Sequence, residues 1–264
     1  MNTVTKTRWR TAITEASAET VRIRGYDLSD LAEKVDFGAV FYLLSCGELP
    51  SPAAAKALNA LMIAACDRGI TPSSAITRTI ASCGVPLQAA VAAGIISFGD
   101  IHGGVGIAMG HALKAQTDKL PANPSPQQAE DAAERFVAAF HDAGERVPGY
   151  GQPLHPQGDP RARRLIAYAQ KLGVAGPALA VGLAAGGVLA RIKGRSLPMN
   201  VDGAIACVAL DIGMPPDIIR AINFVARAAG LSAHAMEETA RERGFRLLAT
   251  DDEVTYDGVA PRSL

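Results

Sequence analysis

The sequence predicts an all-α fold, and three observations support this prediction. Hydrophobic residues make up 48% of the chain and aromatic residues only 5%, so that alanine dominates the apolar set. Such a composition favours closely packed helices over a β-sandwich. Capping residues followed by proline recur along the chain, and apolar residues follow them every three or four positions.

The clearest predicted helices each begin with a capping residue before proline and end at a glycine. Serine and aspartate accept hydrogen bonds from the first helical amides, and proline suits the first helical position. Glycine tolerates the left-handed backbone that commonly ends a helix. These signals predict helices from Ser51 to Gly69, from Ser125 to Gly144 and from Asp159 to Gly173.

Two further segments are predicted to be helical. The uncharged run from Val174 to Ala190 is 17 residues long and contains Pro177. A membrane span needs about 20 strongly apolar residues, so this run predicts a buried helix instead. A long amphipathic pattern predicts a helix over residues 217–243. Apolar-polar alternation is weak except over residues 253–256, where it predicts a short strand.

The segment Leu120 to Gln128, LPANPSPQQ, is the best candidate for a linker. It precedes a clean amphipathic helix and is rich in proline and polar residues. We therefore predict a large helical domain formed by residues 1–111 and 201–264. Residues 112–200 are predicted to form a small mobile domain inserted between these two parts.

Charge and cysteine usage exclude several functions. Lys and Arg together number 26, as do Asp and Glu, which argues against nucleic acid or a membrane as the main partner. The first residues lack the apolar core of a signal peptide. The four cysteines, which lack CxxC spacing, predict buried free thiols in a reducing compartment, hence a cytoplasmic protein. The five histidines lack the spacing of metal ligands, so no metal is expected.

His102 stands out in the glycine-rich segment GDIHGGVGIAMGH, which covers residues 99–111. Two glycines follow it, so the backbone there can approach a ligand closely. The amides of a helix beginning after Gly104 would face the same space. The spacing is not that of a dinucleotide-binding GxGxxG motif. The alternative is a structural loop histidine.

Charged residues at helix starts and inside an apolar helix suggest a binding site. Asp202 opens an apolar helix, and helix capping alone could explain it. Arg161, Arg163 and Arg164 crowd the start of another helix, where each opposes the helix dipole by about 0.3–1 kcal/mol. An anion among them would explain that placement, although ordinary surface arginines are an equal alternative. Arg227 lies in an apolar helix and needs a carboxylate from protein or ligand.

Five segments are informative when they are taken together: RGYDLSDLAEKVDFGAVFYLLSCGELP (24–50), AAGIISFGDIHGG (92–104), VPGYGQPLHPQGDPR (147–161), PMNVDG (198–203) and INFVARAAGLSAHAMEE (222–238). In this order they resemble the citrate synthase superfamily, including its compact citryl-CoA lyase-like members. Each motif alone is modest, but their order along the chain makes chance resemblance improbable.

The resemblance implies a large and a small helical lobe, a homodimer and an active site in the cleft. It implies Asp202 as the base that removes a proton from an acyl-CoA thioester, and His102 as the donor to the thioester oxygen. Arg161 and Arg227 would bind substrate carboxylates. The loop that would lie along coenzyme A consists of Val147, Pro148, Gly149, Tyr150 and Gly151.

The keto-acid half of the site departs from the family pattern. Gln152 occupies the position of the loop histidine, and glutamine cannot carry a proton to or from an alcohol oxygen. His155 could replace this proton carrier, or it could be an ordinary loop histidine. Arg68 falls near another family histidine, and Arg262 is the candidate for an arginine donated by the second subunit.

The sequence therefore predicts an enzyme that forms or cleaves a carbon–carbon bond between an acyl-CoA and a keto acid. Coenzyme A would enter as a thioester substrate, and no permanently bound cofactor is expected. The alternatives are an acyl-CoA thioester hydrolase and a non-catalytic CoA-binding regulatory homologue.

Overall fold

The computed structural model describes residues 9–103, 106–151, 157–246, 249–250 and 252–263. Within this part of the chain, eleven α-helices (α1–α11) carry the fold, and the predicted all-α class is confirmed. Three short strands (β1–β3) and one 3₁₀-helix accompany them. The elements are β1 Thr14–Ala16, β2 Val21–Ile23, β3 Tyr26–Asp27, α1 Leu28–Lys34, α2 Phe37–Cys46, α3 Pro52–Cys66, α4 Pro72–Ser82, α5 Leu87–Ile96, α6 Gly106–Thr117, α7 Pro126–Asp142, α8 Pro160–Lys171, α9 Pro177–Lys193, α10 Val201–Asp211, the 3₁₀-helix Pro216–Ile218 and α11 Ile219–Arg241.

The predicted caps lie where the sequence placed them. The Ser51 side chain accepts from the Ala54 amide at the start of α3. Ser125 forms a reciprocal capping box with Gln128 at the start of α7. Asp159 accepts from the Arg161 amide at the start of α8. Local capping chemistry thus sets these three helix starts.

The strands are the main departure from the prediction. β1, β2 and β3 form a small antiparallel sheet in that order, with Thr14 opposite Ile23 and Arg22 opposite Asp27. Residues 253–256, predicted as a strand, form a turn and irregular backbone instead. Alternation over four residues was too short a signal, because a strand also needs a partner edge to pair with.

The chain divides into two compact units. The first contains residues up to Asp67 together with Phe98–Arg227, and the second contains Arg68–Ser97 and Ala228–Leu264. Helix α11 supplies residues to both units. The predicted division into residues 1–111 with 201–264 and an inserted lobe of residues 112–200 stays a prediction.

Helix α10 is the centre of the first unit's core. Most of its side chains, from Val201 to Ala209, are buried, and it contacts α6, α8 and α9. The carboxylate of Asp211 at its end accepts hydrogen bonds of 2.8–2.9 Å from the amides of Gly176, Ala178 and Leu179. Since these amides open α9, Asp211 ties the two helices together.

The second unit is built from α4, α5 and the later part of α11. Ala81, Ala90 and Ala235 form its small apolar cluster. The fully buried Glu238 pairs with Arg78 at 2.7 Å and with Arg246 at 2.6 Å. A buried carboxylate is tolerated here because two guanidinium groups neutralise it.

Two other sequence predictions concern cysteines and membranes. Cys207 is buried, Cys46 and Cys66 are partly buried, and Cys83 is exposed, so burial of all four thiols was wrong. Cys83 caps the end of α4, where a helix end meets solvent. Among the described residues, no helix combines the length and apolarity that a membrane crossing requires.

Candidate active site

Asp202 is the second residue of α10 and not its cap. The N-cap is Asn200, whose side-chain oxygen accepts from the Gly203 amide at 3.1 Å. The capping explanation for Asp202 is therefore wrong. Its partly buried carboxylate needs a different role.

The surroundings of Asp202 make it a stronger base than an exposed aspartate. Burial raises the pKa of its carboxyl above the ordinary value. The charges of Arg161 and Arg227 and a hydrogen bond from Asn223 oppose this rise, and the nearby charge of Asp159 adds to it. A carboxylate with a raised pKa accepts a carbon-bound proton more readily.

His102 lies in the turn between α5 and α6. The Gly99 amide donates to the His102 carbonyl at 2.9 Å, and the imidazole packs on the Phe98 ring with centroids 5.3 Å apart. Burial and the charge of Arg227 lower the pKa of His102, against the opposing charge of Asp202. The ring is therefore neutral at pH 7, so one ring nitrogen can donate a hydrogen bond.

The residue after His102 must be a glycine, Gly103, because of its backbone conformation and its close neighbour. Its φ of +67° lies in the left-handed region, and a Cβ there would collide with the Phe98 ring. The backbone of Gly103 thus lies against the ring of Phe98, which also packs on the imidazole of His102. This fixes the histidine turn in one backbone conformation.

Arg161 is oriented by a buried aspartate. Its Nε and Nη2 donate to the two oxygens of Asp159 at 3.1 and 2.8 Å. Asp159 is 1% exposed, and its Oδ2 also accepts from the Val201 amide at the start of α10. Burial would raise the pKa of Asp159, but the bonds and charge of Arg161 and the Val201 amide hold it below its ordinary value. Arg161 therefore stays in a fixed position near the helix that carries Asp202.

Arg227 is buried, as the sequence predicted. Its Nε donates to the Ala65 carbonyl at 2.8 Å, and its guanidinium lies 5.9 Å above the Phe98 ring. Burial lowers its pKa, whereas the charges of Asp67 and Asp202 raise it. A second arginine thus lies near the same carboxylate, where it can attract a substrate anion.

The loop from Val147 to Gly151 is bonded to the segment that precedes α10. The Gly151 amide donates to the Pro198 carbonyl, and the Asn200 amide donates to the Gly149 carbonyl, both at 2.9 Å. The Asn200 side chain donates to the Gly151 carbonyl at 3.0 Å. These bonds therefore link the position of the loop to the position of the start of α10.

Tyr150 connects the same loop to helix α9. Its hydroxyl donates to the Gly182 carbonyl of α9 at 2.6 Å. Gly149 has a φ of +86°, and a Cβ there would come within 2.9 Å of the Gly203 Cα. The backbone of the loop thus packs directly on the first turn of α10, which only glycines at both positions allow.

A cavity of about 680 Å³ lies beside this loop. Val147, Tyr150 and Leu197 provide apolar walls. Arg146, Lys193 and Arg195, which the sequence reasoning did not single out, supply positive charge to the lining. A cavity with apolar walls and several cations suits an aromatic ligand that carries phosphates.

Four other residues were predicted for the site. Arg68 and the exposed Arg262 belong to the second unit, so their predicted roles stay predictions. Gln152 and His155 lie outside the described residues. No group of three or more His, Cys, Asp or Glu side chains suited to a metal occurs in the described part of the chain.

Asn223 is another site residue that the sequence reasoning missed. It is 5% exposed, and it contacts both Asp202 and the histidine turn. A signal was available, because Asn223 and Arg227 are four residues apart and share one helix face. Two polar side chains on the buried face of an apolar helix indicate a site rather than core packing.

The structure thus brings together a carboxylate with a raised pKa, an imidazole with a lowered pKa and two arginines whose charges act on them. The chain belongs to the citrate synthase family, since residues 50–248 match the model of the citrate synthase C-terminal domain. The superfamily prediction is thereby confirmed.

Individual relatives agree with this assignment. A citryl-CoA lyase structure from Hydrogenobacter thermophilus has a TM-score of 0.85 and 32% identity, with 97% of each chain covered. The citrate synthase of Haloferax volcanii is 29% identical over 227 residues, which cover 84% of this chain and 57% of the relative. The citrate synthase structure from Thermoplasma acidophilum, at 20% identity and a TM-score of 0.68, shares the fold; 87% of this chain and 58% of that one are covered. The chain spans about half the length of the curated relatives it matches.

Proposed function

We propose that the protein is an enzyme that cleaves or forms a carbon–carbon bond next to an acyl-CoA thioester, in the manner of a citryl-CoA lyase. The observation that carries the proposal is the cluster of His102, Arg161 and Arg227 around the carboxylate of Asp202. The likeness to a citryl-CoA lyase over 97% of both chains supports cleavage of a hydroxyacyl-CoA as the reaction.

The proposed chemistry follows from the acidity of the substrate. In the direction of synthesis, Asp202 removes a proton from the carbon next to the thioester. The neutral imidazole of His102 donates a hydrogen bond to the thioester oxygen, where the negative charge develops. The resulting enolate attacks the carbonyl carbon of a keto acid, and the carbonyl oxygen takes up a proton as it becomes a hydroxyl group. In cleavage, the hydroxyl group loses this proton, the carbon–carbon bond breaks to return the enolate, and protonated Asp202 gives its proton to the carbon.

Arg161 and Arg227 are proposed to bind carboxylates of the keto or hydroxy acid. Asp159 holds Arg161 in place through two hydrogen bonds, which favours bidentate recognition of a second anion. The hydroxyl proton of the cleaved substrate needs a separate acceptor. His155 is our candidate, because Gln152 cannot take a proton.

Coenzyme A is proposed to occupy the cavity beside the loop Val147–Gly151. The apolar walls suit the adenine ring, and Arg146, Lys193 and Arg195 suit its phosphates. The glycines, which carry no side chain, let a ligand approach the backbone of this loop closely. We propose further that the enzyme is a cytoplasmic homodimer in which Arg262 reaches the site of the second subunit.

Proton exchange tests the proposal without requiring the identity of the keto acid. Incubated with acetyl-CoA in deuterated water, the protein should exchange methyl protons, and Asp202→Ala should lose this activity. Citryl-CoA should release acetyl-CoA and a keto acid. Tight CoA binding without exchange would support a regulatory protein instead, and release of free thiol without keto acid would support a hydrolase.

A further inference from the structure

Asn223 carries a buried polar side chain at a position where packing in an apolar core would favour an apolar one. Its side chain lies on α11 between Ile222 and Phe224 and is 5% exposed. A carboxamide in such a place loses its hydrogen bonds to water, so it must find protein partners. Its Nδ2 donates to Asp202 Oδ1 and to the Gly103 carbonyl, each at 3.4 Å.

The two bonds join separate parts of the candidate site. One N–H points to the carboxylate on α10, and the other points to the turn that carries His102. Helix α11 thus holds the carboxylate and the histidine turn through one rigid amide. Both bonds are long, and such bonds commonly shorten when substrate closes around a catalytic group.

We propose that Asn223 is a positioning residue for enolisation, an inference that rests on the proposed function. Its amide holds Oδ1 of Asp202, which leaves Oδ2 to take the proton from the acyl carbon. The same amide sets the histidine turn against this oxygen. Because its amide bonds the proposed base, Asn223 acts through Asp202.

The charged groups around Asp202 let the contribution of Asn223 be separated. Arg161 on α8 and Arg227 on the same helix as Asn223 stabilise the carboxylate, Asp159 opposes it, and His102 faces it from the turn. Asn223 stabilises the carboxylate without carrying charge of its own. Its removal should therefore raise the pKa of Asp202 while leaving both carboxylate-binding arginines in place.

The test measures deuterium exchange of acetyl-CoA methyl protons as a function of pH in three variants. Asn223→Leu fills the space without a donor, Asn223→Ala leaves the space open, and Asn223→Gln keeps an amide. The Leu and Ala variants should slow exchange about 10- to 100-fold, the scale that misplacement of a catalytic group produces. In both, the acid limb of the profile should move to higher pH, and the Gln variant should restore part of the rate.

Ser232→Ala is the matched control, because Ser232 lies on the same helix and its hydroxyl bonds only the Ala228 carbonyl among the described residues. It should keep the parental profile. CoA affinity and thermal unfolding, measured on each variant, identify a protein that has lost its fold. If Asn223→Leu does not fold, Asn223→Ala alone decides the result.

Two outcomes would overturn the inference. Exchange within twofold of the parent would show that Asn223 positions nothing, and slower exchange with an unmoved acid limb would show a purely structural role. Absence of exchange in the parent protein is a different result, since it would defeat the proposed function itself.

Discussion

Asp202 combines a cost in stability with a role in the proposed chemistry. Burial raises the pKa of its carboxyl, so the ionised form is less favourable in the folded protein than in the unfolded chain. Between the ordinary pKa of about 4 and the raised value, the folded state holds the extra proton, and stability falls as pH rises. The cost therefore grows as pH rises above the ordinary pKa and is fully present above the raised one.

Asp202→Asn should raise the melting temperature at pH 7 while it removes exchange activity. The amide has the shape of the carboxyl but no charge, so the unfavourable ionisation disappears. Each kcal/mol gained corresponds to roughly 2–4 °C for a chain of this size. Loss of a general base should lower exchange by about 10²–10⁴-fold.

Thermal unfolding at pH 7 and at pH 4 checks this prediction. The gain in melting temperature should shrink at the lower pH, where the parent carboxyl approaches neutrality. Asp118→Asn is the control, because Asp118 is exposed and pairs with Lys114; it should change stability by less than about 0.5 kcal/mol. A lower melting temperature for Asp202→Asn at pH 7 would contradict the prediction.

Asp159 should have the opposite effect on stability. Its pKa is held below the ordinary value, so it stabilises the folded protein above about pH 4, and this contribution is lost as pH falls through the lowered pKa. Asp159→Asn leaves Arg161 without its carboxylate and weakens the bond from the Val201 amide. We expect a loss of about 1–3 kcal/mol at pH 7, the usual cost of unsatisfied buried groups.

Urea unfolding of Asp159→Asn across pH 3–7 measures this effect. The difference from the parent should be largest at neutral pH and decrease at the acid end. In turnover assays, the KM for the hydroxyacyl-CoA substrate should increase by a larger factor than the Kd for CoA alone. The reason is that Arg161 is proposed to bind the acid portion of the substrate, which CoA lacks. Equal losses of both affinities would argue against that role.

The sequence predicts a helix start best where a local capping residue sets it. Ser51, Ser125 and Asp159 each bond an amide within three residues, so their role is readable without tertiary information. The start of α10 is different, because Asn200 caps it while the Val201 amide bonds the distant Asp159. A contact between residues 42 positions apart decides that the cap falls two residues before Asp202.

The loop Val147–Gly151 and helix α10 behave as one element in this structure. Backbone bonds at Gly149 and Gly151 join the loop to the residues just before the helix, and the Gly149 backbone packs on Gly203. A side chain at position 149 must therefore push the loop away from the helix start. Since Asp202 lies next to Gly203, the same change displaces the base.

Gly149→Ala should weaken both stability and CoA binding. It adds left-handed strain, which costs about 1–3 kcal/mol, and it also adds the clash with Gly203. Gly173→Ala provides a matched control, because Gly173 has a φ of +71°, no described atom lies within 4 Å of its added Cβ, and it does not line the cavity. Calorimetric titration with CoA and urea unfolding should show the larger losses for Gly149→Ala, and equal losses would show that strain alone matters.

The candidate site as a set of residues was predictable only in part. His102, Asp202, Arg161 and Arg227 each carry a signal in their own segment, such as charge in an apolar helix. Asn223 carries one through its spacing from Arg227 on a shared helix face. The cations Arg146, Lys193 and Arg195 carry none, because their relevance arises from neighbours that are distant in sequence. A polar residue becomes part of a site only when other helices bring it to the same cavity.

The proposed homodimer raises the question of how many subunits complete one site. It matches a citryl-CoA lyase over 97% of both chains, yet it spans about half of the curated citrate synthases. Arg262, an exposed residue of the second unit, is proposed to act in the partner's site. A homodimer with a twofold axis would then contain two equivalent composite sites.

Mixing two inactive variants tests this arrangement. Asp202→Asn removes the proposed base of its own subunit, and Arg262→Ala removes the residue donated to the partner. Each variant alone should lack turnover. In a dimer of both kinds, one site is intact and the other lacks both groups, so random exchange of subunits in equal amounts should restore about one quarter of the parental sites. Sedimentation should show dimers throughout, and a mixture that stays inactive after demonstrated subunit exchange would place Arg262 outside the partner's site.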